Sequence, residues 1–386
     1  MGSSIKPLTF FHFLALILLF QCSGVSNEQA IPPAKEGVRG VWLTNVASDV
    51  LLSRKNIEEA VTLLDSLQFN TIFMVTWNRG YTMYRSDVMK ALTGYAIDPV
   101  YRDRDPLKEV IEEAHKRDIK VFAWFEFGFA SSYDQTDGGL LLQTKPFWKA
   151  LDSKGDITEK NKFQWMNGFH PEVQDFMVSL VSEVVENYEV DGIQGDDRLP
   201  AMPVNSGYDE YTVGLYQNEH NGDRPPENEN DAEWIEWRAQ KLNGFMGVLY
   251  KKVKELDPHC IVSMAPSIYP WSKENYLQDW PTWVNNGYVD LLCPQLYRYD
   301  IDAYSKLLDE ILMQQLDKED HRKFYPGVLL QVDDYNPSSE LLMAKIDSNR
   351  LHGINGEVFF FYEGVKKFKS QFQEKYSEKV NFPKLR

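Results

Sequence analysis

The sequence predicts an α/β protein, a single (β/α)8 TIM barrel whose long strand-to-helix loops form a cleft. Eight short apolar segments alternate with amphipathic segments along the chain, as expected for parallel strands that are buried on both faces. The chain has 386 residues, and no linker or change of composition interrupts residues 36–370. We therefore expect one barrel domain over residues 37–386.

The predicted strands are short runs rich in Val, Ile, Leu and Phe, at residues 38–45, 71–77, 120–128, 192–196, 261–267, 291–297, 325–331 and 357–363. The helical segments between them are residues 56–67, 105–116, 171–187, 231–256, 302–316 and 338–351, with an ambiguous segment at 272–285. Pro106 and Pro171 stand where the first helical turn tolerates proline, which makes Asp105 and His170 the predicted caps.

The connections differ in length at the two ends of the predicted strands. Most helix-to-strand links are short, whereas the links after strands two, three and four span residues 78–104, 129–170 and 197–230. Long loops without secondary structure usually carry function in a compact domain. Since active sites of TIM barrels lie at the carboxyl ends of the strands, we expect a cleft on that face.

The composition limits the class of ligand. A formal net charge of -16 argues against nucleic acid or an anionic membrane surface as a partner. Twenty Tyr, ten Trp and twenty-two Phe in so acidic a chain favour a neutral, flat ligand such as a sugar, although most of these rings are expected in the core. We expect a monomer that binds a carbohydrate.

The amino-terminal segment predicts export. An apolar run at residues 8–20 follows Lys6 and matches a signal peptide over residues 1–21, with a short linker at 22–36. Leu19 and Cys22 occupy lipobox positions, which predicts a lipid anchor on Cys22, whereas Gln21 departs from the usual small residue. Cleavage just beyond Gly24 is the alternative. We expect a periplasmic or outer-membrane lipoprotein, otherwise a secreted protein, that touches membrane only through this anchor.

The sequence contains no pattern for a metal or cofactor. Cys260 and Cys293 stand in or beside apolar strands, without the spacing of a zinc site, and are expected to be buried thiols. No G-x-S-x-G elbow, P-loop or G-x-G-x-x-G motif is present. We therefore expect neither a metal site nor a cofactor.

Two adjacent acids, Asp196 and Asp197, follow the fourth predicted strand. They could simply cap the next helix, but Pro200 and Pro203 delay any helix, so we favour catalysis.

On the third strand, alternation places Glu126 inward within an apolar run, where desolvation should raise its pKa into the range of a general acid. The alternative is an ion pair of Glu126 with an arginine in the barrel mouth. We predict Glu126 as the acid and Asp196, in a less apolar environment, as base, nucleophile or charge stabiliser, with Asp197 and Glu363 as reserves.

Aromatic, amide and cationic residues at the other strand ends complete a carbohydrate cleft, in which rings stack on sugars and paired carboxylates flank the glycosidic bond. The predicted substrate-binding residues are Trp42, Asn45, Trp77, Arg79, Arg198, Trp271, Gln295, Tyr297, Arg298 and Gln331.

Six blocks, in order along the chain, resemble the family 10 glycosyl hydrolase-like proteins: residues 39–44, 123–128, 167–174, 191–197, 269–283 and 293–298. The resemblance implies a bacterial envelope (β/α)8 glycosidase, some members of the family acting on peptide-free peptidoglycan strands, and places Asp196 where related barrels have a catalytic aspartate. Gly195 departs from the bulkier residue that is usual in the family, so we expect looser packing there.

The leading interpretation is a glycoside hydrolase of peptidoglycan glycan strands. Arg79, Arg198 and Arg298 could bind the lactyl carboxylate of muramic acid or, equally, neutralise the acids of the cleft. A non-catalytic glycan-binding lipoprotein and an endoglycosidase of another polysaccharide remain alternatives. Linkage, stereochemical outcome and participation of a substrate acetamido group stay open.

Overall fold

The computed structural model describes residues 1–2 and 35–385. Its centre is an eight-stranded parallel sheet, and each strand lies within a segment that the sequence predicts. The strands are Arg39–Leu43 (β1), Thr71–Val75 (β2), Lys120–Phe125 (β3), Gly192–Gly195 (β4), Ile261–Met264 (β5), Leu291–Leu292 (β6), Gly327–Leu329 (β7) and Glu357–Phe360 (β8). They are almost wholly buried, which explains their continuous apolar sequences.

The sheet closes into a barrel. Hydrogen-bonded neighbours follow the order β6-β5-β4-β3-β2-β1-β8-β7, and all of these pairs are parallel. Parallel bridges between Leu292 and Phe324 and between Gln295 and Gly327 join the two outer strands. The predicted (β/α)8 fold is therefore confirmed.

The helices surround this sheet. They are Arg54–Ser66 (α1), Asp87–Thr93 (α2), Pro106–His115 (α3), Gly139–Thr144 (α4), Pro171–Asn187 (α5), Glu210–Glu219 (α6), Ala232–Leu256 (α7), Trp271–Tyr276 (α8), Trp280–Asn285 (α9), Ile301–Glu310 (α10), Ser339–Leu351 (α11), Tyr362–Val365 (α12) and Lys369–Lys375 (α13). The side chains of Asp105 and His170 accept hydrogen bonds from the first turns of α3 and α5, as predicted. The ambiguous segment 272–285 forms two short helices, because Leu277 between them adopts a positive φ of 56°.

The long loops above the barrel are not structureless, which corrects the sequence-based expectation. The loop after β2 contains α2 and a hairpin of Trp77–Asn78 with Tyr81–Thr82. The loop after β3 contains α4 and a small antiparallel sheet of Ala130–Tyr133, Phe163–Trp165 and Glu159–Lys160, and α6 lies in the loop after β4. Such short elements of mixed polar and aromatic residues show no clear periodicity in sequence.

A buried ionic network closes the opposite, amino-terminal end of the barrel. Glu357, at the start of β8, is fully buried and accepts hydrogen bonds of 2.9 Å from both terminal nitrogens of Arg350. Asn349 donates to the same carboxylate at 2.8 Å, and the Tyr376 hydroxyl donates to its other oxygen. Because every oxygen of this carboxylate is bonded, the network stabilises the barrel as long as it is complete.

The Arg350→Ala substitution should reduce the free energy of unfolding by about 3–5 kcal/mol, because it leaves the buried Glu357 charge unpaired. Denaturant unfolding measures this change. Lys55→Ala is the control, since Lys55 and its partner Glu59 are both exposed and their ion pair should contribute less than about 1 kcal/mol. Equal losses for the two variants would contradict the role of the network.

The predictions for the amino terminus fall almost entirely outside the described residues. Of the signal peptide only residues 1 and 2 are described, of the linker only residues 35 and 36, and Cys22 is not described. The barrel lies in the compact unit Pro33–Arg386. Among the described helices, none has both the length and the apolar character to cross a membrane. Cys260 and Cys293 are buried free thiols, as predicted.

Candidate active site

The register between β3 and β4 brings the two predicted acids together. Trp124 lies beside Gln194 and Phe125 beside Gly195, so the next residues of the two strands, Glu126 and Asp196, leave the barrel side by side. Asp196 is 3% exposed. The Glu126 side chain is also largely buried, with 14% of it exposed. Both carboxyl groups therefore stand at the carboxyl end of the barrel, where the sequence places the cleft.

A single guanidinium connects the acids. Nη2 of Arg198 lies 3.2 Å from Oδ2 of Asp196 and 3.6 Å from Oε1 of Glu126, and Nη1 lies 2.8 Å from Oδ1 of Asp197. Its Nε donates to the carbonyl oxygen of Glu126 at 3.0 Å, and the ring of Phe163 lies 4.7 Å from Cζ. The predicted alternative for Glu126, an ion pair with an arginine in the barrel mouth, is thus present in the structure.

The two catalytic candidates are held by different donors. Oδ1 of Asp196 accepts a hydrogen bond from Nε2 of Gln295 at 2.8 Å, and its Oδ2 accepts one from Arg198. Oε2 of Glu126 accepts one from Nδ2 of Asn78. Since Oδ2 of Asp196 and Oε1 of Glu126 both face Nη2 of Arg198, they lie no farther apart than the sum of the two distances, about 6.8 Å.

Two glycines permit this close arrangement. A Cβ on Gly195 would come within 2.5 Å of the Met264 side chain and 2.6 Å of the Leu199 carbonyl oxygen. Gly128 has a φ of 49°, and a Cβ there would lie 2.0 Å from the Arg198 carbonyl oxygen. The expectation of looser packing at Gly195 is therefore wrong, because the missing side chain lets the loop that carries Arg198 pack against the strand.

Burial and mutual repulsion set the protonation of the acids. Burial raises the pKa of Glu126, although Arg198 and the Asn78 amide oppose the shift. Burial and the charge of Asp197 raise the pKa of Asp196 well above its usual range, against the effect of Arg198. Asp196 is the more deeply buried of the two acids, with 4% of its side chain exposed against 14% for Glu126, and the expectation that Glu126 has the more apolar environment stays a prediction. Three acids share one cation, so a proton is readily retained among them.

The acids open into a cavity of about 190 Å³ with aromatic walls. Its lining residues are Trp42, Trp124, Glu126, Phe163, Asp196, Asp197, Arg198, Gln295, Tyr297 and Phe360. Seven of these ten were predicted from the sequence. Trp42 is fixed by donation of its indole N–H to Gln194 at 2.7 Å, so its ring forms a rigid wall.

The structure places the other predicted residues away from this cavity. Glu363 accepts from the Ser48 hydroxyl at 2.7 Å, pairs with Lys366 and lines a separate cavity with Asn45. Trp77 is buried and donates to the Gly128 carbonyl oxygen at 3.0 Å.

Four more predicted substrate-binding residues do not line the cavity, and each contacts a different part of the protein. Trp271 is 43% exposed and packs on Tyr276. Arg298 donates to the Tyr297 carbonyl oxygen at 3.0 Å. Gln331 has a buried Oε1 without a partner among the described residues, and Arg79 is exposed beside Tyr133.

Three residues that line the cavity were not predicted from the sequence as site residues: Trp124, Phe163 and Phe360. Trp124 stands two residues before Glu126, and Phe360 ends β8, so strand alternation could have identified both. Phe163 belongs to the small sheet above β3 and is brought to the cavity by the fold of that loop, for which no periodic signal exists.

The arrangement suits acid–base chemistry on a ligand with apolar ring faces. Paired carboxyl groups with raised pKa values can hold and donate a proton near neutral pH, and aromatic walls suit the apolar faces of a sugar. Within residues 1–2 and 35–385, no group of three or more His, Cys, Asp and Glu side chains is arranged to hold a metal ion.

Comparison with known proteins gives a consistent result. A family model described as glycosyl hydrolase-like 10 matches residues 37–330. The chain is similar to the glycosyl hydrolase DigH of Escherichia coli strain K12, with 24% identity over 356 residues, which cover 74% of this chain and 76% of that protein. It is also similar to the glycosyl hydrolase YngK of Bacillus subtilis strain 168, with 24% identity over 311 residues, which cover 70% of this chain and 57% of that protein.

Solved structures support the fold. The PgaB (BpsB) glycoside hydrolase domain from Bordetella bronchiseptica superposes with a TM-score of 0.66 at 12% identity, over 91% of this chain and 100% of that one. The catalytic domain of the β-amylase from Paenibacillus polymyxa gives 0.60 at 10% identity, over 89% of this chain and 99% of that one. Both are glycoside hydrolases, and at these identities the similarity concerns the barrel.

Glu126→Gln should raise the free energy of unfolding at pH 7, because it removes a buried carboxylate whose folded-state pKa is raised. Its amide can still bond to Asn78, whose Oδ1 has no partner among the described residues. Because the pKa of Glu126 is raised in the folded state, the folded wild type holds this proton more tightly than the unfolded chain does. The free energy of unfolding of the wild type therefore falls as the pH rises from the unfolded-state pKa through the folded-state pKa. The difference between the two proteins should therefore vanish below about pH 4, where Glu is protonated in both states.

Denaturant unfolding between pH 3 and pH 8 measures this pH dependence. Glu227→Gln, at an exposed position without an ion pair among the described residues, is the control and should show no such trend. A Glu126→Gln protein that is less stable than the wild type at pH 7 would show that the carboxylate stabilises the fold instead.

Proposed function

Because this chain belongs to the glycosyl hydrolase-like 10 family, we propose that it hydrolyses glycosidic bonds of a cell-envelope glycan, namely the glycan strands of peptidoglycan. The observation that carries this proposal is the pair of adjacent carboxyl groups, Glu126 and Asp196, in a cavity with aromatic walls. Glycoside hydrolases generally use two such carboxyl groups on either side of the bond that they cleave.

We assign Glu126 as the general acid. Burial raises the pKa values of both acids, but only Glu126 has an oxygen, Oε1, that is loosely held, at 3.6 Å from Arg198, whereas both Asp196 oxygens accept hydrogen bonds. That oxygen is therefore available to donate a proton to the leaving group. Arg79 and Arg198 lower the pKa of Glu126 and Asp197 raises it, which keeps the proton exchangeable.

Asp196 takes the role of nucleophile or charge stabiliser. Hydrogen bonds from Gln295 and Arg198 hold one oxygen each, so the carboxylate has a fixed orientation towards the cavity. Such preorganisation favours stabilisation of positive charge that develops at the anomeric carbon. The limit of about 6.8 Å between Oδ2 of Asp196 and Oε1 of Glu126 puts the two carboxyl groups within the range of glycosidase pairs, and the stereochemical outcome stays open.

The choice of an envelope glycan depends on the predicted export signal and on the acidic, aromatic-rich composition. These features favour a carbohydrate polymer met outside the cytoplasm, and peptidoglycan is the principal such polymer of a bacterial envelope. The ion pairs of Arg198 with all three acids favour a second candidate, a glycan-binding lipoprotein without catalysis.

Glu126→Gln should reduce kcat/KM on peptide-free glycan strands by about 10²–10⁴-fold, because it removes the general acid. Asp196→Asn should be at least as severe. Release of soluble fragments from purified strands, analysed by chromatography, measures both. Glu363→Gln is the matched control, because Glu363 lies in the separate cavity, and it should keep near-normal turnover.

Two outcomes would contradict the leading proposal. If Asp197→Asn or Glu363→Gln abolishes turnover while Glu126→Gln does not, a different acid catalyses the reaction. If the wild type binds the strands but releases no fragment, the non-catalytic candidate is correct.

Cys22→Ser should release the protein from membranes, because the thiol of Cys22 is the proposed site of lipid attachment. Cell fractionation with detection of the protein measures this change. Cys260→Ser is the control, since that thiol is buried in the barrel and should not affect fractionation. Identical distribution of the Cys22→Ser protein and the wild type would indicate ordinary signal cleavage.

A further inference from the structure

The three arginines predicted at the cleft are not equivalent. Arg198 forms ion pairs with Asp196, Asp197 and Glu126. Arg298 donates to a backbone carbonyl oxygen. Arg79 alone of the three is exposed, and its guanidinium has no hydrogen bond or ion pair with any described residue. Its nitrogen donors are therefore available to a ligand.

Arg79 stands next to the catalytic acids. It occupies the tip of the hairpin after β2, with a φ of 51°, and the preceding residue, Asn78, donates a hydrogen bond to Glu126. The Arg79 guanidinium also lies near enough to Glu126 to lower the pKa of that carboxyl. A ligand bound to Arg79 would thus lie beside the proposed general acid.

A row of rings connects Arg79 to the cavity. Its Cζ lies 5.6 Å from the ring of Tyr133, which is 36% exposed. Tyr133 contacts Phe163 edge to face, with a centroid distance of 5.1 Å, and Phe163 lines the cavity. An exposed ring beside an available cation offers a stacking surface for a sugar together with a site for its negative charge.

We propose that Arg79 binds a carboxylate on the sugar adjacent to the cleaved bond, while Tyr133 supports the ring of that sugar. This inference rests on the proposed function and names the residue that recognises a free lactyl carboxylate on its substrate. Elsewhere in the cleft the three acids disfavour an anion, so Arg79 defines where one is accepted. When a peptide is attached, the same lactyl group is a neutral amide and loses this interaction.

Binding to soluble, peptide-free glycan fragments tests the proposal, compared with the same fragments after conversion of their carboxylates to amides. We use the Glu126→Gln background, in which turnover is suppressed and no Glu126 carboxylate remains for Arg79 to influence. Calorimetry should give a Kd about 10-fold lower for the carboxylate form, and this preference should weaken at high salt.

Adding Arg79→Gln should abolish the preference, and Arg79→Lys should retain part of it, because lysine keeps the charge but not the two-pronged contact. Arg102→Gln is the matched control. Arg102 is likewise exposed with a positive φ, of 56°, and has no ion pair or ring contact with described residues, so the preference should persist.

Equal affinities for the two forms, or a preference that survives Arg79→Gln, would overturn the inference. A preference that depends on Arg79 in a protein whose wild type cleaves no glycan would uphold it and refute the proposed hydrolysis instead.

Discussion

The candidate active site depends on one buried guanidinium that serves three carboxyl groups. Arg198 contacts Glu126, Asp196 and Asp197 and also donates to the backbone of the neighbouring strand. Burial lowers the pKa of this guanidinium, but the three acids outweigh the effect and raise it, so it stays charged. One positive charge cannot balance three ionised acids in a poorly solvated cavity. The same constraint that holds the acids together therefore favours retention of a proton.

The buried carboxyl groups at the two ends of the barrel differ in how completely they are paired with hydrogen-bond donors and cations. At the amino-terminal end, Glu357 has a full set of donors in Arg350, Asn349 and Tyr376. At the carboxyl end, the acids outnumber their cation, and one Glu126 oxygen is only loosely held. Complete pairing suits a stabilising network, whereas incomplete pairing suits a group that exchanges protons.

The sequence predicts the parts of this molecule that obey strand periodicity. Alternation places Glu126 and Asp196 inward, and the structure brings them together because β3 and β4 are neighbours in register. The sequence could not predict that Glu363 turns towards Ser48 and Lys366, or that Phe163 reaches the cavity, because contacts between distant segments decide both positions. The sequence also could not predict that Asp196 is the more deeply buried of the two acids, because this burial depends on contacts with distant residues such as Gln295.

The most direct test of the shared-cation arrangement is an NMR titration of ¹³C-labelled side-chain carboxyl groups in the wild-type protein. The signals of Glu126 and Asp196 are assigned from their loss in the corresponding amide variants. We expect both groups to titrate above the ordinary range of carboxyl groups, and higher still after Arg198→Met, because the cation that opposes their protonation is then absent. Titration of both groups within the ordinary range, or no response to the loss of Arg198, would contradict this arrangement.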